Sequence, residues 1–163
     1  TANGVSRGAG NGYVNRLYNG QNCLLACNVT TGTAINVSTT PVTGIDFSLA
    51  TAGLGLTGTV RNGSGQALQL VDVDIYDSAG RLAGTATSNS QGVYAVNGLP
   101  AGNYFARTRN NLGLQDRLFG GAVCGSGCNP LSGTPIAVPA SAQIGNIDFV
   151  LTLPDPVFAN GFE

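Results

Sequence analysis

Strict alternation of apolar and polar residues marks the clearest element of the chain. Across residues 70–77, Val71, Val73 and Ile75 fall on one face and Asp72, Asp74 and Tyr76 on the other, the period of a half-buried strand. Similar short runs surround it. Residues 55–62 alternate small polar with apolar side chains and run into the turn "RNGSGQ", and "AGTATS" follows the turn "SAGRL". Strands around Val93 to Val96 and Tyr104 to Thr108 flank "NGLPAG", whose Gly and Pro fit poorly inside a ladder. Pro135 to Val138 and Gly145 to Leu153 complete the series. Six or seven short strands with a turn every eight to twelve residues or so predict an all-β protein, an antiparallel two-sheet sandwich.

Part of this pattern is written twice. "RLYNGQNCLLACNVTTGTAI" from Arg16 meets "RLFGGAVCGSGCNPLSGTPI" from Arg117 at an offset of 101 residues, and "GIDFSL" from Gly44 meets "NIDFVL" from Asn146 after one inserted residue. Carried backwards, the offset sets Thr1 opposite Gly102, so the first copy lacks a counterpart of Leu56 to Ala101. The expected organisation is therefore the closing half of one repeat over residues 1–53, a complete repeat over 54–153 and a tail over 154–163, the end of a longer array. The closing half predicts strands at "INVS" and "GIDFSLA" without the partners that the missing half would supply. Ile45, Phe47 and Leu49 either fold back on the complete repeat or meet strands of another chain, and the second is favoured because the complete repeat already owns "NIDFVLTL".

The stretch "GTVRNGSGQALQLVDVDIYDSAG" with "TSNSQGVYAVNGLPAGNYFART" resembles the carboxypeptidase regulatory-like domain. Gly58, Val60, Gly65, Val71, Val73, Thr87, Gly92, Tyr94, Val96, Leu99, Pro100, Gly102 and Tyr104 carry the likeness, over about Leu56 to Thr108. The resemblance implies a prealbumin-like (transthyretin-like) sandwich. It implies little about function, because such domains accompany enzymes, adhesins and transporters as accessories. Collagen-adhesin B-type repeats share the general architecture, but their Lys to Asn isopeptide bond cannot form in a chain without lysine.

Composition narrows the chemistry. His, Lys, Trp and Met are absent, charged residues make up 9% and the net charge is −1, with 25 glycines. Nothing here offers a basic face for nucleic acid or an anionic membrane, and no apolar run approaches the ~20 residues of a spanning helix. Without His or Lys, neither a Ser-His-Asp nor a Ser-Lys arrangement can be assembled, so no enzyme activity and no cofactor are expected. Asp72, Asp74 and Asp77 form a weak Ca²⁺ candidate, set against the plainer reading of a solvated strand face. The absence of Trp, with most Tyr and Phe at strand positions, argues against a sugar platform, and sequons at Asn28, Asn36 and Asn62 matter only in a glycosylating host.

Cys23 and Cys27 repeat in register as Cys124 and Cys128. A repeat that folds wherever it stands in an array is expected to pair Cys23 with Cys27 and Cys124 with Cys128, each bridge closing about five residues and contributing ~2 kcal/mol. Two Cys pairs on one zinc are the alternative, weakened by the lack of His and by the unusual spacing. Disulfides point to an oxidising compartment and hence to a secreted or cell-surface protein. The tail "DPVFANGFE" is similar to a Phe-x-Asn/Asp-Gly-Phe-Glu ending found on exported proteins of Gram-negative bacteria. Val157, Phe158 and Phe162 read either as a cap on the last repeat or as an address for export or attachment machinery. The expected function is a non-enzymatic structural or adhesive module whose partners are neighbouring repeats or identical subunits: stalk, surface or filament component. An accessory or carbohydrate-binding domain of a secreted hydrolase is the alternative.

Overall fold

The computed structural model describes residues 13–25, 27–50 and 55–154. Among them the chain forms seven strands and no α-helix: β1 (Leu56–Asn62), β2 (Asp72–Asp77), β3 (Leu82–Thr87), β4 (Val93–Val96), β5 (Gly102–Arg109), β6 (Ile136–Val138) and β7 (Phe149–Leu151). They make two sheets, β4-β1-β7 and β3-β2-β5-β6. The inward faces supply the core: Leu56 and Val60 from β1, Val73 and Ile75 from β2, Tyr94 and Val96 from β4, Tyr104 and Ala106 from β5, and Phe149 and Leu151 from β7. Period-2 alternation produces this layer, because every second side chain of a pleated strand meets the facing sheet.

One pairing departs from the expected antiparallel scheme. β7 runs parallel to β1, with Val60 opposite Phe149 and Asn62 opposite Leu151. After β6 the chain crosses between the sheets through residues 139–148, and Ile144 already bridges Leu56 in the parallel sense. The closing strand therefore enters from the same end as β1, and a crossover of this length permits what a tight hairpin forbids.

Glycine is required where backbones close on one another. A Cβ on Gly58 would land on the Ile147 carbonyl oxygen, so only glycine lets β7 approach β1. Tyr94 closes the same junction from β4 by donating its hydroxyl to the Ile147 carbonyl at 2.6 Å. Opening half and closing half thus meet at one seam, built from Gly58, Tyr94 and Ile147.

The closing half before residue 51 behaves differently. No strand forms at "INVS" or "GIDFSLA" among the described residues, which corrects that expectation. Physically, a strand is defined by a ladder partner, and residues 45–49 make no backbone hydrogen bond among the described residues.

Candidate interaction surface

Each cysteine loop begins with a tight reversal held by its own backbone. In the second copy, Leu118 N–H donates to Ala122 at 2.8 Å, Gly121 N–H to Leu118 at 3.0 Å and Cys124 N–H to Asp116 at 2.8 Å. The first copy repeats these bonds residue for residue: Leu17 N–H to Gln21 at 2.8 Å, Gly20 N–H to Leu17 at 3.1 Å and Cys23 N–H to Asn15 at 2.7 Å. The reversals require left-handed backbone, supplied by Asn19 and Gly20 in one copy and by Gly120 and Gly121 in the other. Disulfides join Cys23 to Cys27 and Cys124 to Cys128, with Cα separations of 5.1 and 5.3 Å. Short 3-10 turns follow at Val29–Thr31 and Pro130–Ser132, each capped by the preceding Asn, whose side chain accepts from the N–H two residues on.

The loops also hold the apolar strand segment in the same way. The Tyr18 and Phe47 rings meet edge-on at 6.2 Å and 64°, and Phe119 and Phe149 at 6.3 Å and 68°. Val14 N–H donates to Ala50 at 2.9 Å, as Gln115 N–H does to Thr152 at 2.8 Å. Left-handed Gly44 precedes Ile45 just as left-handed Asn146 precedes Ile147. Leu17 and Leu118 are both buried. The closing half is thus one local structure built twice from matching residues.

Its surroundings differ. Residues 117–119 pair with 106–108 of β5 through Thr108 N–H to Arg117 and Phe119 N–H to Ala106, both at 2.9 Å, which ties the second loop to the sandwich. Asp148 accepts from the Thr59 N–H at 2.7 Å and from its hydroxyl at 2.9 Å, fastening β7 to β1. In the first copy Phe47 is 37% exposed, against 3% for Phe149, and Val37 is 81% exposed, against 3% for Val138. Ile45 and Leu49 are partly buried, but neither they nor Phe47 belongs to the sandwich core. The first loop instead touches the sandwich through its insert. Leu24 packs against the core and, with Asn28, borders a cavity of about 340 Å³ over the Asp77–Arg81 turn, Pro100 and Tyr104. Sequence reasoning did not single out Leu24, whose signal is the contrast between Leu-Leu-Ala in this insert and Gly-Ser-Gly in the second.

The three aspartates of the Ca²⁺ candidate are engaged with arginines. Arg109, on the adjacent strand β5, reaches Asp72 at 3.1 Å and Asp74 at 3.2 Å, and Arg81 holds Asp77 at 2.8 Å. Thr85 and Thr87 donate hydroxyls to Asp74 and Asp72 at 2.9 and 2.7 Å. Asp74 is buried beneath these contacts, whereas Asp72 is half-buried and Arg109, Thr85 and Thr87 stay exposed, so the outer face of β2 is a solvent-facing arginine-carboxylate row with one buried member. Among the described residues no three His, Cys, Asp or Glu side chains gather in a metal-binding cluster. Burial would raise the Asp77 carboxyl, but hydrogen bonds from Arg81 and the Ala79 N–H, with the Arg81 charge, bring it below the ordinary value. Burial pushes the Tyr104 phenol up to about 12 and that of Tyr94 further, with Asp77 and Asp148 respectively adding to the shift. Val157, Phe158 and Phe162 lie outside the described residues.

No curated protein matches the chain. A group B streptococcus pilus 2b backbone protein aligns at 14% identity over 68% of this chain and 44% of its own, with a TM-score of 0.41. Chlorocatechol 1,2-dioxygenase from Pseudomonas putida aligns at 18% identity over 60% of this chain and 58% of its own, with a TM-score of 0.37. The chain thus spans less than two thirds of either structure. Among the described residues no helix is long and apolar enough to cross a membrane. Residues 55–111, which hold β1 to β5 and the Gly58 and Tyr94 side of the seam, match the carboxypeptidase regulatory-like domain model.

Proposed function

We propose that the chain is a non-enzymatic structural or adhesive module from an exported tandem-repeat protein, working as a stalk, surface or filament component. The observation that carries this reading is the duplicated local structure, with matching loop bonds, disulfide and ring pair in both copies, of which only the second joins a strand of the sandwich among the described residues. A unit that reproduces its own geometry away from its sheet suits serial use, where each repeat holds shape without help from its neighbours. The residue inventory fits mechanical work better than catalysis: no histidine or lysine supplies a base, and the aspartates of β2 are paired with arginine. Disulfides suit a secreted or surface location. We assign contact with export or attachment machinery to the tail, on the likeness of "DPVFANGFE" to endings of exported proteins.

Immunogold labelling of intact host cells with antibodies to residues 55–154 tests the reading. Label on the outer surface or on extracellular fibres is the expected result. Label confined to the interior contradicts it.

A further inference from the structure

An asparagine followed by glycine is chemically exposed, because glycine has no Cβ to keep its backbone nitrogen away from the asparagine side-chain amide. Three such pairs lie among the described residues: Asn19–Gly20, Asn62–Gly63 and Asn97–Gly98. The fold treats them differently. Asn19 donates its amide to the Thr33 hydroxyl at 3.2 Å, and the Gly20 N–H is spent on the Leu17 carbonyl at 3.1 Å. The Asn62 side chain is held by three bonds, accepting from the Ser64 N–H at 3.0 Å and the Gln66 N–H at 2.9 Å and donating to the Gln66 side chain at 2.9 Å. Asn97 is half-buried at the end of β4, and neither its amide nor the Gly98 N–H has a hydrogen-bond partner among the described residues. Only in this pair are both reacting groups free.

We propose that Asn97 is a site of spontaneous covalent modification, converting through a cyclic imide to aspartate and isoaspartate. The Gly98 nitrogen, losing its proton to solvent base, bonds to the Asn97 Cγ, the Cγ–Nδ2 bond breaks and ammonia leaves. Water then opens the ring. Addition at Cγ restores the ordinary main chain with an aspartate side chain, whereas addition at the main-chain carbonyl carbon leaves the chain running through the former side chain as isoaspartate. Water is the only co-reactant. The position gives the change leverage, since Gly98 is left-handed and buried, Leu99 is buried in the core, and the Pro100 carbonyl accepts from the Tyr104 hydroxyl at 2.9 Å. Pro100 and Tyr104 also border the cavity beside the first cysteine loop. Either product adds a carboxylate at this corner, and isoaspartate also lengthens the main chain between β4 and β5.

This chemistry needs nothing from the functional reading above, and its test is independent of where the protein is found. The full chain is aged in mildly alkaline buffer and mapped after reduction and trypsin digestion, which puts the three pairs on separate peptides, Leu17–Arg61, Asn62–Arg81 and Leu82–Arg107. Fragment spectra locate each amide-to-carboxylate conversion, and isoaspartyl methyltransferase labelling reads the rearranged product. In the folded chain Asn97 is expected to convert at least about tenfold faster than Asn19 or Asn62, whose hydrogen bonds must open before their amides turn into the attack. In concentrated urea the three rates are expected to draw level, because the fold then holds none of them. Asn97→Gln should remove the main acidic species that ageing produces. Conversion at Asn97 no faster than at Asn19 or Asn62 in the folded chain overturns the proposal. So does an order of rates that urea leaves unchanged, or an acidic species that forms as fast in the Asn97→Gln chain.

Discussion

The two closing halves carry nearly the same sequence and differ in what lies beside them. Loop reversal, disulfide, capped 3-10 turn and ring pair are alike in both, while Phe149 is buried in a strand and Phe47 is partly exposed without a ladder partner. Bonds made within residues 13–50 form without a strand ladder beside them among the described residues. Strand character does not, because it depends on Thr57, Thr59 and Val60 of the opening half. The difference separates what a segment encodes from what its partner must provide.

Truncating the same ring in each copy should break the symmetry most. Phe149→Ala removes a buried aromatic between Tyr94 and Phe119 and is expected to cost ~3–5 kcal/mol in urea unfolding, whereas Phe47→Ala should cost less than about 1 kcal/mol. Next comes the seam. Gly58→Val forces β1 from β7 and should cost upward of ~3 kcal/mol, with no counterpart in the first copy to strain. Asp148→Ala leaves the Thr59 donors unmet and should cost ~1.5–3 kcal/mol, while Asp46→Ala should stay within about 0.5 kcal/mol in the same assay.

Smaller effects probe the contact between the copies. Leu24→Gly with Leu25→Ser gives the first insert the character of the second and withdraws Leu24 from the sandwich, for an expected loss of about 1 kcal/mol and faster tryptic cleavage at Arg16. Least sensitive is pH. Tyr104 has a raised folded value, so its stabilising contribution is complete below about pH 10 and is lost as pH rises through about 12, and Tyr94, raised further, loses its own only above that. Tyr104→Phe should flatten that alkaline decline. The lowered Asp77 works in the opposite window, with its contribution present above about pH 4 and lost as acid protonates the folded carboxylate, a slope that Asp77→Asn should remove.

Much of this was legible in residues. Alternation located β2 within two residues, "NGLPAG" marked the break between β4 and β5, and the Gly58 to Tyr104 pattern indicated the domain now matched over 55–111. Cysteine register indicated the two local bridges. Pairing direction was not legible, since the apolar pattern of "NIDFVLTL" is the same for a parallel as for an antiparallel neighbour. Nor was the fate of "GIDFSLA", because period-2 alternation reports suitability for a sheet and says nothing of whether a partner is present. The Arg109 bridge reaches Asp74 across 35 positions of sequence, a pairing that depends on the β2–β5 register.

Amide hydrogen exchange on the native chain tests the central claim most directly, since it reads both closing halves in one experiment. The account predicts protection at Leu17 and Cys23 matching that at Leu118 and Cys124, strong protection over 149–151, and exchange near the unstructured rate over 45–49 in dilute protein. Protection of Phe47 equal to that of Phe149 in the dilute monomer would contradict it, because the first closing half would then already have its ladder partner.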